Sequence, residues 1–319
     1  MGEFDLIKQF FMRTAPQPGV VVGIGDDCAV LAPTPNAQWL VSSDMLVEGR
    51  HFLSTVAPER LGHKALAVNL SDLAACGATP RAFTLALALP RADPVWLSGF
   101  SQGLFALADM HGIALVGGDT TQGPLNICIT VIGEAPAGMA LLRSGAGVGD
   151  DLYVSGQLGD ARLALQVFRG TVNLGGESFE KVRRAMECPQ PRVALGQALR
   201  GVASSAIDVS DGLLGDLGHI LQTSGVGAHL TVDELPRSTV LATLPLALQR
   251  EFGLAGGDDY ELLFTAPATA REAVQQASLR SATPVTRIGR IEAAAGLRLL
   301  DDQGQVLPLS FSSFDHFKS

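Results

Sequence analysis

One pattern recurs along this chain: an apolar run ends in glycine or serine and is followed at once by aspartate. In its first occurrence, residues 20–24 read as a buried strand that leads through Gly25 into Asp26 and Asp27. The pattern recurs at Asp44, Asp119, Asp208, Asp211, Asp258 and Asp259. Adjacent carboxylates repel each other, so such pairs indicate either a solvated turn or a divalent cation that cancels the repulsion.

As a set, these aspartates favour the cation. Open α/β sheets place their sites at the carboxyl ends of strands, where these residues are predicted to lie. Five or more hard oxygen ligands on such loops suit Mg²⁺, which is held by a few carboxylates together with phosphates and waters. Local alternatives stay open: Asp211 could be a helix N-cap, and Asp119 could form an Asx-turn.

Asp72 differs from the others because it lies inside a predicted helix. The stretch 66–75 around it is otherwise mostly apolar, and a carboxylate there is costly to bury unless a positive group meets it. The alternative is a helix kink or an exposed stripe. Asp72 therefore joins the candidate cation ligands.

Composition excludes several classes of function. A net charge of −9 and a pI near 5.1 argue against nucleic-acid binding, and they require metal ions beside any phosphate-bearing substrate. No apolar run approaches the roughly 18 residues of a membrane span, and residues 1–12 lack the features of a signal peptide. Four cysteines far apart in sequence indicate reduced thiols, so we expect a cytoplasmic protein.

The length of 319 residues predicts two domains, with the boundary in the Gly-, Ala- and Pro-rich stretch 133–149. We place domain 1 at residues 1–137 and domain 2 at 138–319. Strands alternate with helices in both halves, which predicts α/β layers in each. Strands are expected near 20–24, 38–43, 83–89, 113–116, 125–132, 152–155, 205–207, 227–232, 260–265, 285–291 and 297–300. Helices are expected near 3–12, 58–75, 94–111, 160–169, 177–187, 192–200, 212–223, 238–250 and 268–279. The apolar tail 311–317 is expected to pack on the body.

Familiar catalytic motifs are missing from the sequence. It has no P-loop, no HExxH or Cys/His zinc spacing and no Gly-x-Ser-x-Gly. Glycines at 23, 25, 117 and 118 would instead let the backbone approach phosphates. Arg143 is either a phosphate clamp at the domain junction or a surface residue, and His51 as a lone histidine is more often structural.

Seven motifs in a fixed order give the chain a specific resemblance. They are GIGDDCAV (23–30), SSDMLVEGRHF (42–52), KALAVNLSDLAACGATP (64–80), GGDTTQGPL (117–125), LRSGAGVGD (142–150), SAIDVSDGLLGDLGH (205–219) and GGDDYEL (256–262). The ordered set resembles the thiamine-monophosphate kinase family, in the superfamily of aminoimidazole ribonucleotide synthetase and selenophosphate synthetase. The match covers essentially the whole chain.

The resemblance implies an α/β (α+β) two-domain synthetase-superfamily fold. Domain 1 would hold a mixed sheet, bind ATP and Mg²⁺, and form a homodimer with its helices backing a shared sheet. Domain 2 would be an α/β domain that completes the active site. The implied reaction is ATP-dependent, Mg²⁺-assisted, in-line phosphorylation of thiamine monophosphate to thiamine diphosphate, the last step of that biosynthesis.

The resemblance also assigns residues by their place in the motifs. The implied ligands of several Mg²⁺ ions are Asp27, Ser42, Ser43, Asp44, Asp72, Asp119, Asp208 and Asp211. ATP would contact Gly118, Asp119, Arg143 and Ser210, with Arg143 stabilising charge. Thiamine monophosphate would contact His51, Asp258 and Phe314. Asp258 stands where relatives often carry Glu, and Phe314 where Tyr or Trp can occur.

Apart from the resemblance, the residue types in the sequence are consistent with phosphoryl transfer to a phosphate. A phosphate acceptor is mostly dianionic at neutral pH and needs no general base, and no convincing base is present. The rivals are a sister synthetase with another acceptor, a non-catalytic Mg²⁺–nucleotide binding protein, and a structural protein with acidic surface turns. The segment before Gly23 lacks the reactive cysteine usual in selenophosphate synthetases.

Overall fold

The computed structural model describes residues 2–13 and 18–308 of the chain, which divides into two compact units. Unit 1 comprises Met1–Leu73 and Ala78–Gly138, and unit 2 comprises Ala74–Gly77 and Met139–Ser319. The division after Gly138 lies next to the predicted domain boundary, while the roles predicted for the two domains stay predictions. No helix within the described residues is long and apolar enough to cross a membrane.

Unit 1 is built on a mixed sheet of four strands. Its elements are α1 (Glu3–Leu6), a π-helical turn (Ile7–Phe11), β1 (Val20–Val22), β2 (Val30–Leu31), β3 (Ala37–Val47), α2 (Pro58–Ala75), β4 (Thr79–Leu89), α3 (Pro94–His111), β5 (Ala114–Gln122) and β6 (Asn126–Pro136). The sheet order is β3-β6-β4-β5, with β4 and β5 parallel and the other pairs antiparallel. The parallel pair is joined through α3, as a parallel connection requires. Strands β1 and β2 form a separate antiparallel pair.

The two faces of the four-stranded sheet differ in burial. Paired residues share a face, and the pairs Leu46–Ile127 and Asp44–Ile129 belong to the face on which Leu46, Ile127 and Ile129 are buried. The opposite face of β3 carries Val41 and Met45, whose exposed fractions are 65% and 53%. One face of the sheet is therefore a core face, and part of the other exposes apolar side chains.

Helices α2 and α3 approach each other closely through glycine. A Cβ atom added at Gly62 would lie 2.0 Å from the carbonyl oxygen of Phe100, and one added at Gly103 would lie 1.8 Å from that of Glu59. Only residues without a side chain leave room for this contact. The helix pair beneath the sheet thus depends on two glycines.

Unit 2 is built on a larger mixed sheet. Its elements are β7 (Asp151–Ser155), α4 (Asp160–Phe168), α5 (Gly176–Glu187), α6 (Val193–Ala198), β8 (Ser205–Asp208), α7 (Leu213–Ser224), β9 (Gly227–Thr231), α8 (Leu246–Ala255), β10 (Leu262–Ala266), α9 (Arg271–Ser281), β11 (Val285–Glu292), β12 (Gly296–Leu300) and β13 (Val306–Leu307). The strand order is β13-β12-β9-β11-β7-β10-β8, in which only β9 and β12 run parallel. Its main core includes Leu152, Leu217, Leu230 and Leu263, none of them exposed.

Mixed sheets with helices in both units confirm the expected fold class. Several boundaries differ from those read off the sequence. Strand β3 continues through Asp44 to Val47, and β5 continues through Asp119 to Gln122, because neighbouring strands supply hydrogen-bonding partners along that length. The prediction that these two aspartates follow strand ends is wrong, and so is the Asx-turn at Asp119.

Two further differences concern the second half of the chain. The helix expected over 238–250 begins only at Leu246, directly after Pro245, and a short 3₁₀ turn at Leu241–Thr243 precedes it. Proline lacks an N–H group and favours the first position of a helix or the one before it. Strand β13 was not expected. The expectation for the apolar tail 311–317 lies outside the described residues.

Candidate functional site

The first acidic pair lies in the connection between β1 and β2. Asp26 Oδ1 accepts the backbone N–H of Asp27 at 2.8 Å, and both residues are exposed. The Asp26 side chain thus holds the turn and leaves the Asp27 carboxylate facing water. The turn does not exclude the predicted cation ligand, because only the Asp26 carboxylate bonds to the backbone of the turn.

Strand β3 and helix α2 are joined by hydrogen bonds that involve two of the predicted acidic residues, Asp44 and Asp72. The Ser42 hydroxyl donates a hydrogen bond to Asp72 Oδ2, and the Asp44 N–H donates to Asn69 Oδ1 at 3.0 Å. Asn69 is 1% exposed and is itself held by a bond from its Nδ2 to the Ala65 carbonyl at 3.0 Å. Helix α2 is continuous and Asp72 is half-buried, so neither a kink nor an exposed stripe explains Asp72. The side-chain oxygen atoms of Ser42 and Asp44 lie on the face of β3 that adjoins Asp72, and all three are of the kind that can ligate a metal ion.

Ser43 lies on the opposite face of the strand. Its hydroxyl donates to the Ile129 carbonyl at 3.1 Å and lies 3.0 Å from Thr130 Oγ1. Strand alternation therefore separates the Ser42 and Ser43 hydroxyls.

Gly118 and Asp119 lie within β5. The backbone of Gly118 has φ +144°, and a Cβ atom there would lie 1.8 Å from the Leu85 carbonyl oxygen. Glycine is thus required by both the conformation and the close approach of β4. The register between β4 and β5 shifts just before this point, and Asp119, paired with Ala86, is exposed.

His51 closes a turn after β3. Its Nδ1 accepts the Val47 N–H at 3.0 Å, and its own backbone N–H donates to the Val47 carbonyl at 3.0 Å. A neutral imidazole with Nδ1 as acceptor carries its proton on Nε2. The ring is therefore both a structural member of the turn and a hydrogen-bond donor through Nε2.

In unit 2 the acidic motif forms a tight turn between β8 and α7. Asp208 ends β8 and is 5% exposed. Helix α7 begins after Gly212, whose φ is +111°, and no side chain caps it, so the N-cap alternative for Asp211 is wrong. The acid that holds this turn is Asp216, whose Oδ2 accepts the N–H groups of Ser210 and Asp211 at 3.1 and 3.2 Å.

Asp216 is the functional-site residue that sequence reasoning missed. Its burial, with 3% exposed, raises the pKa of its carboxyl, and the nearby charge of Asp211 raises it further, to about 7. The available signal was an acid on the buried face of α7, between Leu213 and Leu217. A carboxylate on such a face needs hydrogen-bonding partners, and here they are backbone N–H groups of the turn.

The segment 256–261 lies beside the acidic turn. The Asp258 N–H donates to the Ser210 carbonyl at 2.7 Å, and the Tyr260 N–H donates to the Val209 carbonyl at 2.9 Å. Asp258 and Tyr260 have φ values of +64° and +52°. The structure thus brings the predicted substrate residue Asp258 next to the predicted ATP residue Ser210.

The backbone around Arg143 is fixed on both sides. The Leu142 carbonyl accepts the Ala206 N–H at 2.9 Å, while the N–H groups of Gly145 and Ala146 donate to Ser224 Oγ at 3.2 Å each. The Arg143 side chain is exposed. An anchored backbone with a solvent-facing guanidinium suits the capture of an anion.

The remaining predictions concern metal clusters and the tail. Across residues 2–13 and 18–308, no three His, Cys, Asp or Glu side chains are grouped closely enough to hold one metal ion by themselves. Phe314 lies outside the described residues.

Two family models match this chain. The N-terminal domain of AIR synthase related proteins matches residues 25–135, and the C-terminal domain of the same family matches residues 147–302.

Curated relatives match over their full length. The thiamine-monophosphate kinase of Salmonella typhimurium is 44% identical over 99% of this chain and 98% of that protein. The thiamine-monophosphate kinase of Bacillus subtilis is 35% identical over 100% of both chains.

Solved structures agree with these relatives. The crystal structure of thiamine-monophosphate kinase from Stenotrophomonas maltophilia K279a is 46% identical, with a TM-score of 0.88 over 96% of this chain and 98% of that one. A structure described as AaThiL complexed with AMPPCP and TMP is 27% identical, with a TM-score of 0.78 over 99% of this chain and 97% of that one. The resemblance seen in the motifs is confirmed, and the chain belongs to the thiamine-monophosphate kinase family of AIR synthase related proteins.

Proposed function

We propose that this chain transfers the γ-phosphoryl group of ATP to thiamine monophosphate, giving thiamine diphosphate and ADP. The observation that carries the proposal is full-length similarity to thiamine-monophosphate kinases, at 44% and 35% identity. The related structure of AaThiL with AMPPCP and TMP supports it further, because AMPPCP is an analogue of ATP.

The chemistry demands little proton transfer. The acceptor is a phosphate monoester that is mostly dianionic at neutral pH, so its oxygen attacks the γ-phosphorus without a general base. The bond to the β,γ-bridging oxygen breaks as the new phosphoanhydride bond forms. The difficulty is holding two polyanions in line, and the protein must supply positioning and opposite charge.

The carboxylates and hydroxyls fit several Mg²⁺ ions, which when bound offset the charge of the phosphates. Mg²⁺ takes one or two carboxylates along with waters and phosphates, so it needs no group of three acids. The hydrogen bond between Ser42 and Asp72 already brings together two oxygen atoms of the kind that ligate Mg²⁺. The proposed ligands are Asp27, Ser42, Asp44, Asp72, Asp119, Asp208 and Asp211, and Ser43 stays a prediction from the motif because its hydroxyl lies on the other face of β3.

In the same proposal, ATP contacts Gly118, Asp119, Arg143 and Ser210. Gly118 is exposed, so its backbone groups can contact a phosphate, and β4 leaves no room for a side chain at this position. Ser210 lies in the turn held by Asp216, and Arg143 extends an exposed guanidinium from an anchored backbone. Arg143 would bind phosphate oxygens and stabilise their negative charge in the transition state.

The thiamine phosphate is assigned to His51 and Asp258. His51 Nε2 can donate a hydrogen bond because Nδ1 is occupied by the Val47 N–H. The Asp258 carboxylate suits a substrate with a positively charged thiazolium ring and an amino group. Phe314 stays a prediction from the motif.

We also propose that two copies pair through the exposed face of the four-stranded sheet. Trp39, Val41 and Met45 are exposed by 42%, 65% and 53% on this face. A sheet face that exposes apolar side chains in this way is typical of a surface covered by a partner. A second copy offers the same surface, as a twofold dimer requires.

A cytoplasmic location is proposed from cysteine chemistry. Cys28, Cys76, Cys128 and Cys188 are thiols in the structure, which is usual for a reducing compartment. The ATP, Mg²⁺ and dimerisation roles of residues 1–137, and the completion of the active site by residues 138–319, belong to the same proposal.

The decisive experiment mixes purified chain with ATP, Mg²⁺ and thiamine monophosphate and separates the products by chromatography. Thiamine diphosphate formed in step with ADP is the expected result. ADP without thiamine diphosphate would indicate a sister enzyme with another acceptor. Mg²⁺-dependent ATP binding without turnover would favour a binding protein, and either outcome would overturn the proposal.

A further inference from the structure

The segment that carries Asp258 is held in an unusual backbone conformation. Within the described residues, four non-glycine residues have positive φ, namely Asn36, Asp258, Tyr260 and Ala282, so two of the four belong to this segment. Such backbone conformations are strained for residues with a side chain, and they persist only where the surroundings impose them. Something near this segment must therefore hold it.

The strongest restraint is an ion pair made by the residue that follows the strained positions. Glu261 is 5% exposed, and the guanidinium of Arg192 donates to both of its carboxylate oxygens at 2.7 and 2.5 Å. The Ser155 hydroxyl donates to the same carboxylate at 2.5 Å and accepts the Leu262 N–H at 2.8 Å. The carboxylate thus ties the segment to β7 and to the start of α6.

Gly156 makes room for this arrangement. A Cβ atom at that position would lie 1.9 Å from Glu261 Oε1. A second tie comes from Asp259, whose two carboxylate oxygens accept the Gly159 N–H at 3.0 and 3.1 Å. Asp259 and Glu261 anchor the segment on both sides of Tyr260, and Asp258 directly precedes the first anchor.

We infer that Arg192, through Glu261, is a positioning residue that sets the affinity for thiamine monophosphate by fixing the backbone at Asp258. The inference rests on the proposed function, in which Asp258 contacts that substrate. Arg192 is not assigned to contact any substrate. Arg192 acts by holding the Glu261 carboxylate, which in turn fixes Asp258 and Tyr260 in their positive-φ conformations.

The effect is expected to be specific to one substrate. The neighbouring turn with Ser210 and Asp211 has its own restraint, because Asp216 accepts both of their N–H groups. Loss of the Arg192–Glu261 pair removes the ion-pair anchor of the Asp258 segment and leaves it only the backbone bonds to Ser210 and Val209 and the Asp259 tie, while Asp216 still holds the ATP turn. The KM for thiamine monophosphate should therefore change far more than the KM for ATP.

The test measures kcat and both KM values of the full chain at saturating Mg²⁺, with three variants of the pair. Arg192→Ala removes the guanidinium, Arg192→Lys keeps one charge, and Glu261→Gln keeps the shape. We expect the KM for thiamine monophosphate to rise about tenfold or more in Arg192→Ala, with partial rescue in Arg192→Lys. The KM for ATP should stay within about threefold of the wild-type value.

Arg250→Ala is the matched control. Arg250 forms a comparable two-bond ion pair with Asp233 in the same unit, at 3.0 and 2.7 Å, and the exposed fractions of the Arg192 and Arg250 side chains are similar, 24% and 22%. It should lower thermal stability without changing either KM. If Arg192→Ala fails to fold, Glu261→Gln and Arg192→Lys carry the test.

Four outcomes would overturn the inference. An unchanged KM for thiamine monophosphate in folded variants would show that the pair does not position Asp258. Equal increases in both KM values, or the same response in Arg250→Ala, would show a general structural role. A wild-type chain that forms no thiamine diphosphate would overturn the proposed function and this inference with it. When the wild type is active, the variants test the positioning role of Arg192 alone.

Discussion

At the scale of single residues, Asp26 and Asp27 are adjacent acids with different surroundings. Asp26 accepts the Asp27 N–H and holds the turn, while the Asp27 carboxylate is left exposed. The sequence offered a turn and a cation ligand as alternatives for the pair. The geometry assigns the turn to one residue and leaves the other available for a ligand.

This division predicts different outcomes for matched substitutions. Asp27→Asn and Asp119→Asn should lower kcat by at least about 100-fold, because each removes a carboxylate proposed to hold Mg²⁺. Asp26→Asn keeps an oxygen that can accept the Asp27 N–H, so its kcat should fall far less. Steady-state kinetics at saturating Mg²⁺ measures the difference.

Thermal unfolding provides the control for these variants. Asp26, Asp27 and Asp119 are exposed, so the melting temperatures of all three variants should stay close to that of the wild type. Retained turnover in Asp27→Asn or Asp119→Asn would contradict their assignment as metal ligands. An inactive Asp26→Asn variant would contradict the division of roles.

Glu134 gives a pH-dependent prediction away from the proposed site. It is 4% exposed, and its carboxylate accepts bonds from the Thr34 N–H, the Thr34 hydroxyl and Arg81 Nε at 3.0, 2.5 and 2.8 Å. Burial alone would raise the pKa of this carboxyl, but the bonds from Thr34 and Arg81 outweigh it and lower the pKa below its ordinary value of 4.5.

A lowered pKa in the folded state contributes stability that is present above the unfolded value and is lost as the pH falls through the folded value. Glu134→Gln should therefore lower the free energy of unfolding by about 1–3 kcal/mol at neutral pH. The difference from wild type should shrink as the pH falls below 4.5. Urea unfolding across the pH range measures it.

The exposed pair of Arg13 and Asp109 is the control for Glu134. Its side chains are 40% and 56% exposed, so solvent screens the charges and Asp109→Asn should cost less than about 1 kcal/mol. A Glu134→Gln effect that is constant from neutral to acidic pH would show that the carboxylate charge is not its cause.

Among the site residues, the sequence could identify acids but not their surroundings. The motifs pointed to Asp208, Ser210 and Asp211, yet which groups the carboxylate of Asp216 bonds, and that it holds their turn, required the backbone to be known. Likewise, Ser42 and Ser43 are equivalent in a motif. A strand sends their hydroxyls to opposite faces, and that fact requires knowing that β3 is still a strand at this point.

At the scale of elements, helices were easier to predict than strand ends. Proline at the start and periodic apolar residues gave α2 and α3 their limits, because those signals are local. The ends of β3 and β5 are set by how far β6 and β4 continue beside them, which no local pattern contains. Asp44 and Asp119 were therefore expected at strand ends and lie within strands.

The crossing of α2 and α3 carries an element-scale prediction. Gly62→Ala and Gly103→Ala each place a methyl group within 2.0 Å or less of a carbonyl oxygen in the other helix. The helices must separate, and we expect a loss of about 1–3 kcal/mol in the free energy of unfolding despite the better helix propensity of alanine. Chemical denaturation measures this loss.

Gly218 in α7 is the matched control for the helix crossing. A Cβ atom there meets nothing within 4 Å, so Gly218→Ala should be neutral or stabilise the protein by up to about 1 kcal/mol. If Gly62→Ala and Gly103→Ala were as stable as wild type, the two helices would not be packed as closely as the structure has them.

For the protein as a whole, the proposed dimer predicts the molecular mass in solution and how charged substitutions on β3 change it. Val41 and Met45 point to the exposed face of the sheet, and Val41 is paired with Ile132 on β6. A charge placed at the centre of an apolar interface must be desolvated without a partner, which opposes association. We expect the wild type to have the mass of a dimer in light scattering, and Val41→Arg with Met45→Arg to have that of a monomer.

Val95→Arg separates this prediction from a general effect of added charge. Val95 is 83% exposed on α3, outside the sheet, so its variant should remain a dimer. The melting temperature of each variant is measured as well. We expect every variant to remain folded, because a residue that is exposed in the single chain is not needed for that chain to fold. A monomeric wild type would contradict pairing altogether. A dimer that survives both arginines on β3 would mean that the copies meet through another surface, and the exposed apolar side chains of this face would then need a different partner.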